Sequence, residues 1–154
     1  MIKEFIKDYE FLSNFYPSKI PFRIMDGVWV MVPTVEHAFQ ASKSIDPPER
    51  QAIASATTPG QAKRLGRLTS LRPDWEEQKV NIMRELLMSK FADPILRDKL
   101  LETGDEELRE GNWWHDNFWG DCYCEKCKAI KGSNMLGSLL MAERKRIKNQ
   151  QKGD

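Results

Sequence analysis

Long apolar runs are missing from this 154-residue chain, and so is any surplus of one charge. No stretch approaches the ~20 apolar residues that span a bilayer. The start, Met1-Ile2-Lys3-Glu4-Phe5, carries no long apolar segment of a secretory leader. Both absences lead to the expectation of a soluble, cytoplasmic protein with no membrane partner. Lysine and arginine number 24 against 23 aspartate and glutamate, a net charge of +1, so no long-range field gathers nucleic acid. Any phosphate contact has to come from a local cluster. The basic run from Glu143 to the end reads as a solvated helix end fraying into a tail. Cysteine is scarce. Cys122, Cys124 and Cys127 are an odd number and too closely spaced for a disulfide framework. Internal repeats, linkers and low-complexity stretches are absent as well.

What is present is enough for one ordinary core, with 40% of residues hydrophobic. Residues 2–6 alternate as a short strand does. Residues 21–32 read as two strands around Asp26-Gly27, a dipeptide suited to a type I′ turn. Pro33 ends the hairpin, and Thr34 is placed to N-cap a helix to about Lys43. A short helix follows Pro47-Pro48. Thr58-Pro59-Gly60-Gln61 is a capping box with proline at the first helical position, opening a helix through about Leu65. Arg72-Pro73-Asp74-Trp75 opens the longest helix, to about Phe91, with Trp75, Ile82, Met83, Leu86, Leu87 and Phe91 as its apolar stripe. Asp93-Pro94 starts another, which Thr103-Gly104 stops, and a last helix runs from Asn134 to about Lys148. The expected fold is α+β, a single helix-rich domain with a small antiparallel sheet.

Three segments place polar groups where a small core does not ask for them. In the Thr34 helix, Glu36, Gln40 and Lys43 fall at i, i+4 and i+7, on one face. Glu36 sits in the first turn, where N–H groups favour an anion, and it either complements the helix dipole, pairs with Lys43, or serves as a reactive carboxylate. Its company of His37 and Gln40, inside Val35, Ala38, Phe39 and Ala41, favours the last. Asp116 lies among Trp113, Trp114, Phe118 and Trp119, aromatics that either pack the core or stack on a flat ring. Asn14, before Phe15 and Tyr16, either satisfies a local turn or hydrogen-bonds a ribose or base edge. Lys131-Gly132-Ser133-Asn134 runs into a helix start with Gly137 permitting close approach, a phosphate seat that lacks the P-loop spacing. Lys63, Arg64 and Arg67 form a second anion site or a solvated surface.

The three thiols, with His115 or Asp121 as a fourth ligand, are compatible with tetrahedral zinc. Structural zinc sites usually draw ligand pairs from two separated segments, and no second pair exists here. The reading from sequence is therefore no metal: reduced thiols at a hairpin tip, or a loose redox pair.

Several ordered motifs give this chain a family likeness. They are Leu12-Ser13-Asn14-Phe15, Thr34-x-Glu36-His37-x-Phe39-Gln40-Ala41-x-Lys43, Thr58-Pro59 with Ala62-x-x-Leu65-Gly66-Arg67, Trp75-x-x-x-Lys79, Lys90-Phe91, Asp116-x-x-Trp119-Gly120 and Asn134-x-Leu136-Gly137-x-Leu139-Leu140-Met141. From about Phe11 to Arg144 the chain resembles the NADAR proteins, which include riboflavin-intermediate N-glycosidases and hydrolases that remove ADP-ribose from guanine. The resemblance implies one such domain over residues 1–148 and a basic flexible tail at 149–154. It also implies cleavage of an N-glycosidic bond between a base-like ring and a phosphorylated ribose, without cofactor or metal. Glu36 and Asp116 would then be catalytic. Trp119 with Phe15 or Tyr16 would sandwich the ring, and Asn14, Gln40 and His37 would line its edge. Lys43, Arg67, Ser133, Asn134 and Gly137 would take phosphate. ADP-ribosylated guanine, in nucleic acid or as a nucleotide, is placed just ahead of a riboflavin-pathway phosphoribosyl compound. A non-catalytic ADP-ribose or nucleotide reader is the alternative of another class. The Cys122–Cys127 segment departs from shorter members, many of which have a glycine-rich turn there.

Overall fold

A computed structural model describes residues 1–153. The fold is helix-rich α+β with a small antiparallel sheet. The chain separates into two compact units, one of residues 14–92, the other of residues 1–13 with 93 onward.

The first unit is built around a helix with no outer face. Its hairpin pairs β1 (Ile20–Met25) with β2 (Val28–Val32) antiparallel, Ile20 opposite Val32. Gly27 takes φ +78°, but Asp26 is not in the positive-φ region, so the type I′ turn expected from Asp-Gly does not form. The register slips between Arg23 and Met25 instead. β1 alternates buried and exposed residues, the pattern of a strand with one covered face. α1 (Val35–Ala41) follows, capped by Thr34, whose hydroxyl accepts from the His37 N–H. All seven α1 residues are buried. It packs against α2 (Pro47–Ala54), α3 (Pro59–Leu68), α4 (Trp75–Lys90) and both strands.

Local signals account for the surrounding helices. Asp46 caps α2 through the Glu49 N–H, with Pro47 and Pro48 in its first turn. In α3, Thr58 accepts from the Gln61 N–H, while the Gln61 amide accepts from the Thr57 N–H, one residue before the cap. This helix runs to Leu68, past the Leu65 end expected from sequence. α4 buries Trp75, Met83, Leu86, Leu87 and Lys90, so a lysine occupies the last step of its inward stripe.

The second unit holds the chain's beginning and its C-terminal half. Residues 2–6 do not form the expected strand. Ile2 makes an isolated parallel bridge to Leu108, and Lys7 turns to φ +52°. A 3-10 helix over Lys7–Leu12 follows, which buries Phe11 and Leu12. α5 (Pro94–Glu102) is capped by Asp93, which accepts from the Ile95 and Leu96 N–H groups, and it packs on α6 (Met135–Lys152). Residues 149–152 of the basic terminus are helical, so α6 extends beyond the Lys148 end expected. Between α5 and α6, β3 (Gly111–Asn112) and β4 (Asp121–Cys122) form a two-residue parallel pair. No helix among the described residues is long and apolar enough to cross a membrane.

Candidate active site

In the first unit, α1 carries three polar side chains inward, and each is held differently. Glu36 is 7% exposed, and its Oε1 accepts from Gln40 Nε2 at 2.8 Å. The spacing of four residues on a helix brings these two side chains together. Its backbone N–H donates to the Asn14 carbonyl at 3.1 Å, which ties the turn at residues 14–16 to the start of α1.

Gln40 is oriented by this contact. Its amide group must face Glu36, which leaves Oε1 buried without a hydrogen-bond donor and turned toward Gly66 in α3. A Cβ built on Gly66 would stand 1.9 Å from that oxygen. The glycine is therefore what lets α3 close on α1 with Gln40 between them.

His37 is fully buried, and both ring nitrogens are engaged by protein. Nε2 lies 2.9 Å from the Ala56 carbonyl, so it carries the proton and donates; Nδ1, 2.8 Å from Thr34 Oγ1, accepts from that hydroxyl. The ring thus pins α1 to the segment between α2 and α3. His37, expected from the resemblance to line the substrate's edge, has both ring nitrogens bonded within the protein.

Lys43 stands at the end of α1, half-buried, with its ammonium 6.0 Å from the Trp75 ring centroid. Burial pushes its pKa below the ordinary lysine range. The Glu36 carboxylate opposes that shift, and the cations Lys63 and Arg67 add to it. Lys43 thus feels one buried carboxylate and two further cations, and an incoming anion beside it would favour its charged form. The Asn14 amide does not satisfy its local turn: Nδ2 contacts Met83 Sδ at 3.6 Å, and Oδ1 is buried with no hydrogen-bond partner. Phe15 is 43% exposed, and Tyr16 is half-buried with Lys90 Nζ 5.8 Å from its ring centroid. Lys90, noted in the sequence only as part of the Lys90-Phe91 motif and given no place in the site, is only 1% exposed; its position after Met83, Leu86 and Leu87 on the inward stripe is the visible signal.

The second unit holds the other expected site residues, and most of them are committed to its own backbone. Asp116 Oδ1 accepts from the Phe118 and Trp119 N–H groups at 3.1 and 2.9 Å, an Asx turn. Trp113 and Trp114 are 59% and 58% exposed, so the core-packing reading fails for both. Trp119 is half-buried, edge-on to Phe118 at 4.9 Å between centroids.

The start of α6 does not offer the phosphate seat expected of it. The N–H groups of Ser133, Asn134, Met135 and Leu136 donate to the carbonyls of Asn117, Gly120, Phe118 and Trp119. Asn134 is buried, its side chain bonded to Glu110 and Leu108, and a Cβ on Gly137 would meet the Leu108 carbonyl at 2.1 Å. Here the close approach that needs glycine is chain on chain.

His115, Cys122, Cys124 and Cys127 come together, with one ligand atom from each within 4.8 Å of the others. The no-metal reading rested on the lack of a second ligand pair, and that ground falls. Nor are the thiols at a hairpin tip, because β3 and β4 run parallel.

The NADAR domain family matches residues 3–148. The chain belongs to the NADAR family. It is 42% identical to N-glycosidase Npun_R5314 of Nostoc punctiforme, over 92% of this chain and 87% of that protein. It is 38% identical to N-glycosidase YbiA of Escherichia coli, over 91% and 82%. Riboflavin biosynthesis protein PYRR of Zea mays, chloroplastic, is 36% identical over 88% of this chain but only 23% of its own length. The NMR structure of E. coli YbiA superposes with a TM-score of 0.80 at 34% identity, covering 100% of this chain and 89% of that one. For this NADAR protein, the relatives' names support a glycosyl hydrolase.

Proposed function

We propose that the chain is an N-glycosidase that hydrolyses the bond between a base-like ring and a phosphorylated ribose, with Glu36 as its catalytic carboxylate. The observation that carries this reading is Glu36 itself, a buried acid in the first turn of α1, with Gln40 donating to it and Lys43 close by. As the base departs, the ribose becomes oxocarbenium-like, and a carboxylate fixed beside it stabilises the positive charge and orients or deprotonates water. The Gln40 bond keeps Glu36 in one rotamer. Lys43, Lys63 and Arg67 supply positive potential for the ribose phosphate.

Of the two substrates, the riboflavin-pathway ribosylamino-pyrimidine phosphate stands first, because the maize relative is named for riboflavin biosynthesis, as is one from Vibrio vulnificus. This chain spans only 23% and 36% of those proteins, so their names bear on it through the shared domain alone. ADP-ribosylated guanine, ahead on sequence alone, stands second. Mass-spectrometric detection of released base and sugar, with each substrate offered separately, tests the reading. Release from the pyrimidine compound alone supports the first order, and release from guanine-linked ADP-ribose alone reverses it. Binding without release from either would make this a reader.

Gly66→Ala gives an independent check of the Gln40 arrangement. The new methyl displaces the Gln40 amide and with it the partner of Glu36. Turnover is expected to fall by about tenfold or more, since small misplacements of a catalytic group are costly. Overpacking is expected to lower stability by roughly 1–3 kcal/mol. Unchanged kinetics in steady-state assays would mean that Gln40 does not position Glu36.

A further inference from the structure

The cluster formed by His115 and the three cysteines is not used by the chemistry proposed above. His115 Nδ1 lies 3.3 Å from Cys124 Sγ, 3.4 Å from Cys127 Sγ and 3.9 Å from Cys122 Sγ. One imidazole nitrogen has a single proton or a single lone pair, so it cannot make three good hydrogen bonds to three sulfurs. A shared ion explains the convergence. With Zn–S near 2.3 Å and Zn–N near 2.0–2.1 Å, a tetrahedron has nitrogen-to-sulfur edges of about 3.6 Å. The three measured distances straddle that value. All four ligand atoms fall within 4.8 Å of one another, as vertices of one polyhedron must.

The backbone makes the same point. His115 is at φ +72°, a left-handed conformation that is uncommon for non-glycine residues, although histidine tolerates it better than most. That turn aims the imidazole at the thiols, and the His115 N–H donates to Cys122 Sγ at 3.3 Å. Cys124 and Cys127 sit in one tight turn, closed by the Cys127 N–H on the Cys124 carbonyl at 3.1 Å. Cys122 is placed by its own N–H donating to Asn117 Oδ1 at 3.0 Å. The Asn112 side chain holds the Asp116 backbone from both sides, accepting from its N–H and donating to its carbonyl. Cys122 and Cys127 are buried, whereas His115 is exposed and Cys124 partly so, which leaves an entry path for an ion.

We propose that His115, Cys122, Cys124 and Cys127 bind one Zn²⁺ as a structural site. Three thiolates and an imidazole are a soft set that selects zinc over magnesium or calcium, and four protein ligands leave no open position for a reacting water. Each cysteine loses its proton to solvent on binding, and no electrons are transferred. The ion staples the loop after β3 to the turn after β4. It fixes the segment that carries the Asp116 turn without entering the reaction.

The test uses the full chain, expressed with zinc in the medium and purified without chelator. Elemental analysis is expected to find about one zinc per chain. Replacement by Co²⁺ is expected to give the visible absorption of a tetrahedral thiolate site. Cys124→Ser, at a partly exposed position, is expected to lose both, and a chelator should lower the melting temperature of wild type but not of this variant. Because the cobalt spectrum is read on wild type, the test does not depend on the variant folding. Wild type holding less than about a tenth of an equivalent of zinc after loading with excess, and no cobalt band, would overturn the proposal. Iron with acid-labile sulfide in place of zinc would overturn it too.

Discussion

Glu36→Gln is expected to lower kcat by about 10²–10⁴-fold, the usual contribution of a positioned acid–base group, while leaving the fold and substrate affinity nearly unchanged. Glutamine has the shape of glutamate, and its carbonyl oxygen can still accept from Gln40 Nε2, now 2.8 Å from Glu36 Oε1. What disappears is the negative charge facing the forming oxocarbenium ion. Loss of that charge should appear in kcat and not in KM, since a ground-state ribose carries no positive charge for the carboxylate to attract. Single-turnover rates with isothermal titration of the uncleaved substrate separate the two. A variant that hydrolyses at the wild-type rate would remove Glu36 from the chemistry. If wild type binds but never cleaves, and the variant binds equally, the site is a reader.

Locally encoded features were legible, and features made by distant residues were not. Thr34, Thr58 and Asp93 announce their helices because a cap bonds N–H groups two or three residues away, whereas the Asp46 cap of α2 goes unread in the sequence behind Pro47-Pro48. The Glu36–Gln40 contact follows from helical spacing alone. By contrast, the commitment of His37 to Ala56 depends on a carbonyl nineteen residues on, just past the end of α2. Which of the four aromatics around Asp116 pack inward was also open in the sequence, and the structure leaves Trp113 and Trp114 exposed. Lys90, seen in the sequence only as part of the Lys90-Phe91 motif, continues the buried stripe of α4 because of what packs over that helix end. His115 reaches the thiols through a left-handed backbone turn, which histidine tolerates better than most residues but which nothing in the sequence places at that position.

The same contrast sets the second large effect, which falls on stability. Asn134→Ala is expected to destabilise the fold by about 2–5 kcal/mol, from two buried hydrogen bonds and one strained backbone position. Asn134 Oδ1 accepts from the Glu110 N–H at 2.9 Å, and Nδ2 donates to the Leu108 carbonyl at 2.8 Å. Alanine leaves both backbone groups without that partner, and at Leu108, whose side chain is fully buried, there is little water to replace it. Asn134 also sits at φ 48°, ψ 44°, a left-handed conformation that asparagine tolerates and alanine resists. Asn134→Gly separates the contributions: glycine accepts that backbone, so whatever stability it still loses, beyond the flexibility it adds to the unfolded chain, belongs to the side-chain bonds. Urea unfolding of wild type and both variants measures the differences. A phosphate-binding Asn134 would behave otherwise, with stability within about 0.5 kcal/mol of wild type and a raised KM. The side-chain geometry favours the first result, because both polar atoms of Asn134 already hold the strand-forming segment ahead of Gly111 against the start of α6.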